Sequence, residues 1–243
     1  MNLAIVIPTY NEKETLPSLI ERLCKVLNNI TEKFLIIIVD DASPDGTGKI
    51  ADELNRRHGH IRVIHREHKL GLGSAYKAGF KSALENFDPD YIVEMDADHS
   101  HEPEEIPKMI QETGHYDYII ASRHVPKSEI VGWGKYRKTV HFIAGALAST
   151  CGGIKMSDPT SGFRVFKKGV LDSLDFSKIK SDGFAFQIEV LYYLNKLGFR
   201  GFESPTRFVN RKEGKSKMGP KETLQFGKAC LYLLMKRISG FQS

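Results

Sequence analysis

Two apolar runs near the start of the chain, residues 3–7 and 34–39, carry no charge. Each stops at once in a polar turn, Pro8-Thr9-Tyr10-Asn11-Glu12 and Asp40-Asp41-Ala42-Ser43-Pro44-Asp45-Gly46. Unbroken β-rich runs of this kind read as strands buried on both faces, the state of strands in a parallel sheet covered by helices. Between them Leu16, Leu19, Ile20, Leu23, Val26, Leu27 and Ile30 recur at three and four residues, which predicts an amphipathic helix. A short helix bearing Ile50 and Leu54 leads to a third strand, residues 61–64. Three strand-to-helix units in succession restrict the chain to an α/β fold with a right-handed, mainly parallel sheet flanked by helices.

The same reading gives strands at 91–95 and 118–121, helices at 104–112, 136–150, 186–197 and 223–238, a turn at 158–164 entering a strand, and an extended stretch at 202–209. Residues 124–134 show no period. The stretch Leu70-Gly71-Leu72-Gly73-Ser74-Ala75 is not a nucleotide loop, because Tyr76 stands where GxGxxG needs its last glycine and no Gly-Lys-Ser/Thr follows. It reads as a helix start whose small residues, with Ala78, Gly79 and Ala83, permit close approach to neighbouring backbone.

With 243 residues, 41% hydrophobic and 27% charged, the chain is expected to form one domain, 1–243, with a full core. Three cysteines, Cys24, Cys151 and Cys230, are widely spaced and odd in number, which suits a reducing, cytoplasmic compartment. The opening MNLAIVIPTYNE reaches a charged turn too soon for a signal peptide, and no apolar stretch approaches the ~20 residues of a membrane span. A net charge of +5 is too mild to indicate nucleic acid.

The chemistry concentrates where the 91–95 strand runs out, in Asp96-Ala97-Asp98-His99-Ser100-His101. In an open α/β sheet that is where ligands bind. Residues two apart on extended chain project to one side, so Asp96 and Asp98 can approach, and paired carboxylates ionise together when a cation lies between them. Two hard oxygen donors suit Mg²⁺ or Mn²⁺ completed by water and substrate phosphate. His99 and His101 are left outside the metal shell. Carboxylates at three strand ends, Glu12, Asp41 and Asp96 with Asp98, can hold ribose and base edges while the metal faces a diphosphate. Without a Walker lysine, this points to a sugar nucleotide. Arg207, Arg211, Lys212, Lys215, Lys217 and Lys221 crowd residues 207–221 against the single acid Glu213, which predicts a mobile basic loop that seeks an anion. It lacks the interleaved aromatics of a nucleic-acid binder, so no nucleic-acid partner is expected.

Taken in order, Pro8-Thr9-Tyr10-Asn11-Glu12, Val39-Asp40-Asp41-Ala42-Ser43, Asp96-Ala97-Asp98, Asp158-Pro159-Thr160-Ser161-Gly162-Phe163-Arg164 and Arg211-Lys212-Glu213-Gly214-Lys215-Ser216-Lys217 resemble the motifs of the family-two inverting glycosyltransferases. Within them the chain is similar to the dolichyl-phosphate (polyprenyl-phosphate) mannose synthases of the short type without a membrane domain. The first three motifs are shared across the superfamily. The last two, with Gly132-Trp133 and Arg137 between them, are more specific. The resemblance implies a single GT-A (Rossmann-like) domain, with residues 1–123 binding GDP-mannose and 124–243 forming an acceptor- and membrane-facing portion. It places Pro8, Tyr10, Glu12, Val39 and Asp41 around guanosine, and Asp96, Ala97 and Asp98 at the diphosphate and metal. Arg211 and Lys217 fall on the donor phosphates, and Arg123 and Arg137 at the acceptor phosphate. Ser100 stands where many members carry a metal-ligating glutamine and others serine. His141 stands where a phosphate-binding serine is common, and four residues after Arg137 it could donate to the same phosphate.

That chemistry requires no general base. A lipid phosphate has a second pKa near ~6 and is already mostly an ionised nucleophile at neutral pH. Catalysis would then rest on positioning and charge compensation by Asp98 and its metal, Arg123, Arg137 and Arg211. The alternatives are a UDP-glucose donor, a hydroxyl acceptor served by a base near Asp158 or Glu189, and a noncatalytic nucleotide-sugar-binding subunit. Arg164 is expected to pair with Asp158 or another core-edge carboxylate, and Glu189 to orient the sugar or cap a loop. Residues 133–150 read either as core or as a peripheral contact with the cytoplasmic face of a membrane, with Lys135, Arg137 and Lys138 at headgroups and Phe142, Ile143 and Leu147 among acyl chains. The resemblance also admits a small membrane-anchoring subunit as a partner.

Overall fold

The computed structural model describes residues 1–210 and 220–239, with the backbone alone for Phe184 and residues 220–223. The first half alternates as its pattern predicts: β1 (Asn2–Thr9), α1 (Leu16–Asn28), β2 (Lys33–Asp40), α2 (Thr47–Arg57), β3 (Ile61–His65), α3 (Leu72–Asn86), β4 (Tyr91–Glu94), a 3-10 turn (Pro103–Glu105), α4 (Ile106–Glu112) and β5 (Tyr118–Ser122). The second half adds β6 (Glu129–Val131), α5 (Lys135–Gly152), β7 (Arg164–Lys167), α6 (Lys168–Asp172), α7 (Gly183–Lys196), β8 (Gly201–Pro205), β9 (Arg207–Val209) and α8 (Pro220–Ile238).

Seven strands form one sheet in the order β3-β2-β1-β4-β7-β5-β8, parallel except for β7, which runs against both neighbours. The mainly parallel sheet is as expected. The antiparallel insertion of β7 was not foreseen. Residues 202–209 are not one strand either: the chain breaks at Thr206, β8 pairing with β5 and β9 with β6 in a separate two-stranded sheet. Of the expected basic loop, 207–209 are β9 and Pro220 begins α8, while 211–219, with Arg211 and Lys217, lie outside the described residues.

Alternation along β1 explains the layers. Leu3, Ile5 and Ile7 join α1, α2 and α4 on one face, and Ala4 and Val6 join α3 and α7 on the other. On α1, Leu16, Leu19, Ile20, Leu23 and Leu27 are all fully buried, each worth about 1.5–3 kcal/mol of transfer free energy. The expected close approach of the α3 glycines is present: a Cβ on Gly79 would overlap Val6, so only glycine lets this helix lie so near β1. The strand order reverses between β2-β1 and β4, and the crevice beyond the carboxyl ends of β1 and β4 is the topological switch point of the sheet.

Candidate active site

The turns after β1 and β2 are locked to one another. Asn11 N–H donates to Ser43 Oγ at 3.1 Å, Glu12 N–H to Thr47 Oγ1 at 2.9 Å, and Asp41 N–H to the Thr9 carbonyl at 2.9 Å. This brings Pro8, Tyr10, Glu12, Val39 and Asp41 to one end of the sheet. Pro8 and Val39 are buried, Lys69 Nζ lies 3.6 Å above the Tyr10 ring, and Glu12 Oε2 accepts from Thr15 Oγ1 at 3.1 Å. The Asp41 carboxylate is buried, accepts from the N–H groups of Leu70 and Gly71, both at 2.9 Å, and forms an ion pair with Arg66 Nη1 at 2.9 Å. Asp41 thus anchors the approach to α3 from this side.

Asp96, Ala97 and Asp98 follow β4 at the switch point. The Asp96 side chain is 37% exposed. Its Oδ1 accepts from Tyr76 O–H at 3.2 Å, and His101 Nε2 is 3.6 Å from Oδ2. Asp98 is 7% exposed, with Oδ1 accepting the Ser100 N–H at 3.0 Å. Ser100 is buried, and its carbonyl accepts the Val209 N–H at 3.1 Å. A Cβ on Gly162 would stand 3.2 Å from Asp96 Oδ2, so the glycine leaves the space beside that oxygen clear. Two carboxylates and a hydroxyl with such a cleared flank fit a hard divalent cation, Mg²⁺ or Mn²⁺.

On the other side of the switch point, Arg123 closes a buried pair with Asp158: Nε donates to Oδ2 at 2.6 Å, Nη2 to Oδ1 at 2.7 Å, and the backbone N–H to Oδ2 at 2.9 Å. Burial alone would raise the Asp158 carboxyl, but the charge and hydrogen bonds of Arg123 outweigh it and hold the carboxyl well below its usual range. Arg123 and Arg137 both lie over the Trp133 ring, at 5.8 and 4.3 Å from its centroid, and Arg137 Nη1 donates to Asn210 Oδ1 at 3.1 Å. His141 joins the cluster through Nε2, 3.2 Å from Thr160 Oγ1, and through Nδ1, 3.0 Å from His124 Nε2. Ligand atoms of His124, His141 and Asp158 lie within 4.8 Å of one another. The arginines beside them oppose a cation, and Asp158 is already committed to Arg123, so the cluster faces anions.

Burial, then the Arg123 charge, lowers the His141 pKa to about 3. An unfolded histidine titrates near ~6.5, so below that pH the unfolded chain takes up a proton that the folded chain refuses. The stability contributed by the neutral ring is therefore present above ~6.5 and lost as pH falls toward about 3, at up to ~1.4 kcal/mol per pH unit. Urea unfolding of the wild type and His141→Ser at matched pH should show the wild type losing about 1–2 kcal/mol relative to the variant between pH 6.5 and 5. A difference that stays constant over that range would contradict a neutral buried ring.

Of the partners expected for Arg164, the structure selects another core-edge carboxylate rather than Asp158. Arg164 stands opposite Glu94 across β4 and β7, 3.5 Å away, and donates to the carbonyls of Ser161, Gln187 and Pro159. Burial pushes Glu94 up to about 7, against the pull of Arg164. Glu189 caps a loop, accepting from the N–H groups of Lys180 and Ser181 at 3.0 and 2.8 Å. Sequence reasoning gave no role to Tyr76, Thr160 or Phe208. The one available signal was for Trp133, the sole tryptophan, set in a Gly-Trp pair just before the basic start of α5.

Residues 4–175 match the model of glycosyl transferase family 2. The chain belongs to that family. This family 2 glycosyltransferase is 38% identical over 218 residues to the undecaprenyl-phosphate mannosyltransferase of Micrococcus luteus, covering 90% of this chain and 88% of that one. It is 38% identical over 216 residues to the polyprenol monophosphomannose synthase of Mycolicibacterium smegmatis, covering 88% and 80%. Among solved structures, glucosyl-3-phosphoglycerate synthase from Mycobacterium tuberculosis, in complex with Mn²⁺, UDP-glucose and phosphoglyceric acid, superposes with a TM-score of 0.67 at 21% identity. That match covers all of this family 2 enzyme and 81% of the other chain, and it fixes the fold as GT-A-like.

Proposed function

We propose that this family 2 glycosyltransferase moves mannose from GDP-mannose to a polyprenyl (dolichyl) monophosphate with inversion, giving the β-linked lipid phosphomannose. The observation that carries the reading is the buried Arg123, aimed by Asp158 and joined over Trp133 by Arg137 on the acceptor side of the switch point. Two curated relatives whose names specify mannosyl transfer to prenyl phosphates support it at 38% identity. A hydroxyl acceptor would need a base, and of the two expected candidates Asp158 is committed to Arg123, while Glu189 is fully buried with its Oε2 capping the Lys180 and Ser181 N–H groups. An ionised phosphate needs none.

Residues 1–123 then form the nucleotide-sugar-binding half, with Arg123 facing the acceptor, and 124–243 the acceptor-binding half, whose Arg211 and Lys217 serve the donor. Pro8, Tyr10, Glu12, Val39 and Asp41 surround the nucleoside, Ala97 lies against the diphosphate, and Asp96, Asp98 and Ser100 would hold Mg²⁺ or Mn²⁺. That ion, when bound, would neutralise charge on the departing diphosphate. Arg211 and Lys217, outside the described residues, are assigned to the same phosphates. Arg123 and Arg137 orient the acceptor oxygen, and a neutral His141 completes its hydrogen bonding. The lipid acceptor makes the membrane surface a partner, on the cytoplasmic face, with a small anchoring subunit as a further candidate. No helix among the described residues is long and apolar enough to cross a membrane.

Incubated with labelled GDP-mannose, Mg²⁺ or Mn²⁺ and a polyprenyl phosphate, the purified protein should move label into the lipid phase. Absence of lipid-phase label in every metal would overturn the assignment. A UDP-glucose donor is separated by competition: excess unlabelled UDP-glucose should leave mannosyl transfer unchanged.

A further inference from the structure

Nine of the twelve large apolar side chains exposed among the described residues lie on α5 and α8, the others being Met1, Leu70 and Leu197. They follow helical stripes. On α5, Tyr136, Ile143 and Leu147 are 84%, 60% and 51% exposed, spaced seven and four apart, and the buried positions Gly145, Ala148 and Gly152 occupy the opposite side. On α8, Leu231, Met235 and Ile238 are 57%, 54% and 76% exposed, spaced four and three apart, opposite the buried Ala229, Cys230 and Leu233. Soluble surfaces rarely gather this much apolar area in one place without an occupant.

The two helices share a foundation. Both pack on α7, which is buried from Ala185 through Leu191 and itself rests on α3, and they pack on one another, with Arg237 Nη1 donating to the Thr150 carbonyl at 2.8 Å. Stripes that point away from a common layer point to the same side. The charge is also one-sided: α5 carries Lys135, Arg137 and Lys138 and no acid, and among the described side chains of α8 there is no acid, with Lys228 basic and Lys236 and Arg237 bonded to Tyr193, Tyr232 and the Thr150 carbonyl. Basic residues bordering an outward apolar stripe match a bilayer with anionic headgroups better than a protein surface. The stripe also borders the acceptor cluster, since the exposed Arg137 sits on the flank of α5 and His141, one turn before Gly145, on its buried side.

We infer that α5 and α8 together form the face by which the protein docks on an anionic bilayer, so that α8, far along the chain from the acceptor residues, is half of the membrane contact. This rests on the lipid-phosphate reading above but is tested apart from it. Vesicles of phosphatidylcholine, with and without about one-third phosphatidylglycerol and free of prenyl phosphate and nucleotide, are sedimented with the whole protein and two variants, Tyr136→Ser/Ile143→Ser/Leu147→Ser on α5 and Leu231→Ser/Met235→Ser/Ile238→Ser on α8.

The expected result is binding that strengthens with phosphatidylglycerol and falls about tenfold or more in each variant, with mannosyl transfer to a water-soluble short-chain prenyl phosphate retained as the control for folding. Vesicle binding by the α8 variant equal to the parent's would overturn the inference. So would unchanged binding accompanied by a change from dimer to monomer, which would make the face an interface between copies. If vesicle binding behaves as expected but no prenyl phosphate accepts mannose, the docking face stands and the proposed activity fails.

Discussion

Asp98→Asn is expected to lower mannosyl transfer by about a thousandfold or more, roughly 4 kcal/mol of transition-state stabilisation. Asparagine keeps the shape of the side chain and a carbonyl oxygen able to accept the Ser100 N–H, so the turn after β4 should hold. What disappears is one negative charge at a nearly buried position, where charges are worth most. Asp98→Ala should lose at least as much activity and also loosen the turn. The decisive comparison is kcat for both variants, alongside manganese binding in the presence of GDP followed by paramagnetic relaxation. An asparagine variant within tenfold of the parent, or one that binds manganese as tightly, would remove Asp98 from the site.

The second large effect is on stability. Asp158→Ala leaves the Arg123 guanidinium buried without its carboxylate, and breaking a buried pair from one side costs about 3–5 kcal/mol. In a chain of this size that lowers Tm by roughly 10 °C. Adding Arg123→Met to that variant should recover part of the lost stability, because the unpaired charge is gone, while lipid-phosphate transfer stays abolished. Thermal melts of the two single variants and the double variant form a cycle whose coupling isolates the pair. A melt of Asp158→Ala within ~2 °C of the parent would mean that Arg123 finds compensation elsewhere.

Much of this architecture was legible because its signals are local. The β1 and β2 runs and the α1 period need nothing beyond their own residues, and the strand-end position of Asp96 and Asp98 follows from where an apolar run stops. β7 was legible only as the strand that a turn enters. Its four residues follow the turn that was recognised, but its antiparallel place between β4 and β5 is set by pairing with segments distant in the chain. The same register decides between the two partners expected for Arg164: Glu94 faces it across β4 and β7, leaving Asp158 to Arg123. Nothing in the spacing of Asp158 and Arg164 distinguishes these outcomes. β6 and the break at Thr206 were equally hidden, since three-residue strands on a partly exposed edge carry no usable periodicity.

Phe208 touches both halves of the crevice. Its ring lies 5.6 Å from that of His101, beside the aspartate turn, and 5.2 Å from Trp133, with the Arg123 guanidinium 5.0 Å above it. The next residue, Val209, is bonded to Ser100, and Asn210 to Arg137. One short segment therefore keeps the aspartate turn and the Arg123 cluster in mechanical register, so neither can be reshaped without the other. A fluorine label on that single ring would report the filling of either chamber, and a bisubstrate inhibitor would have to span it.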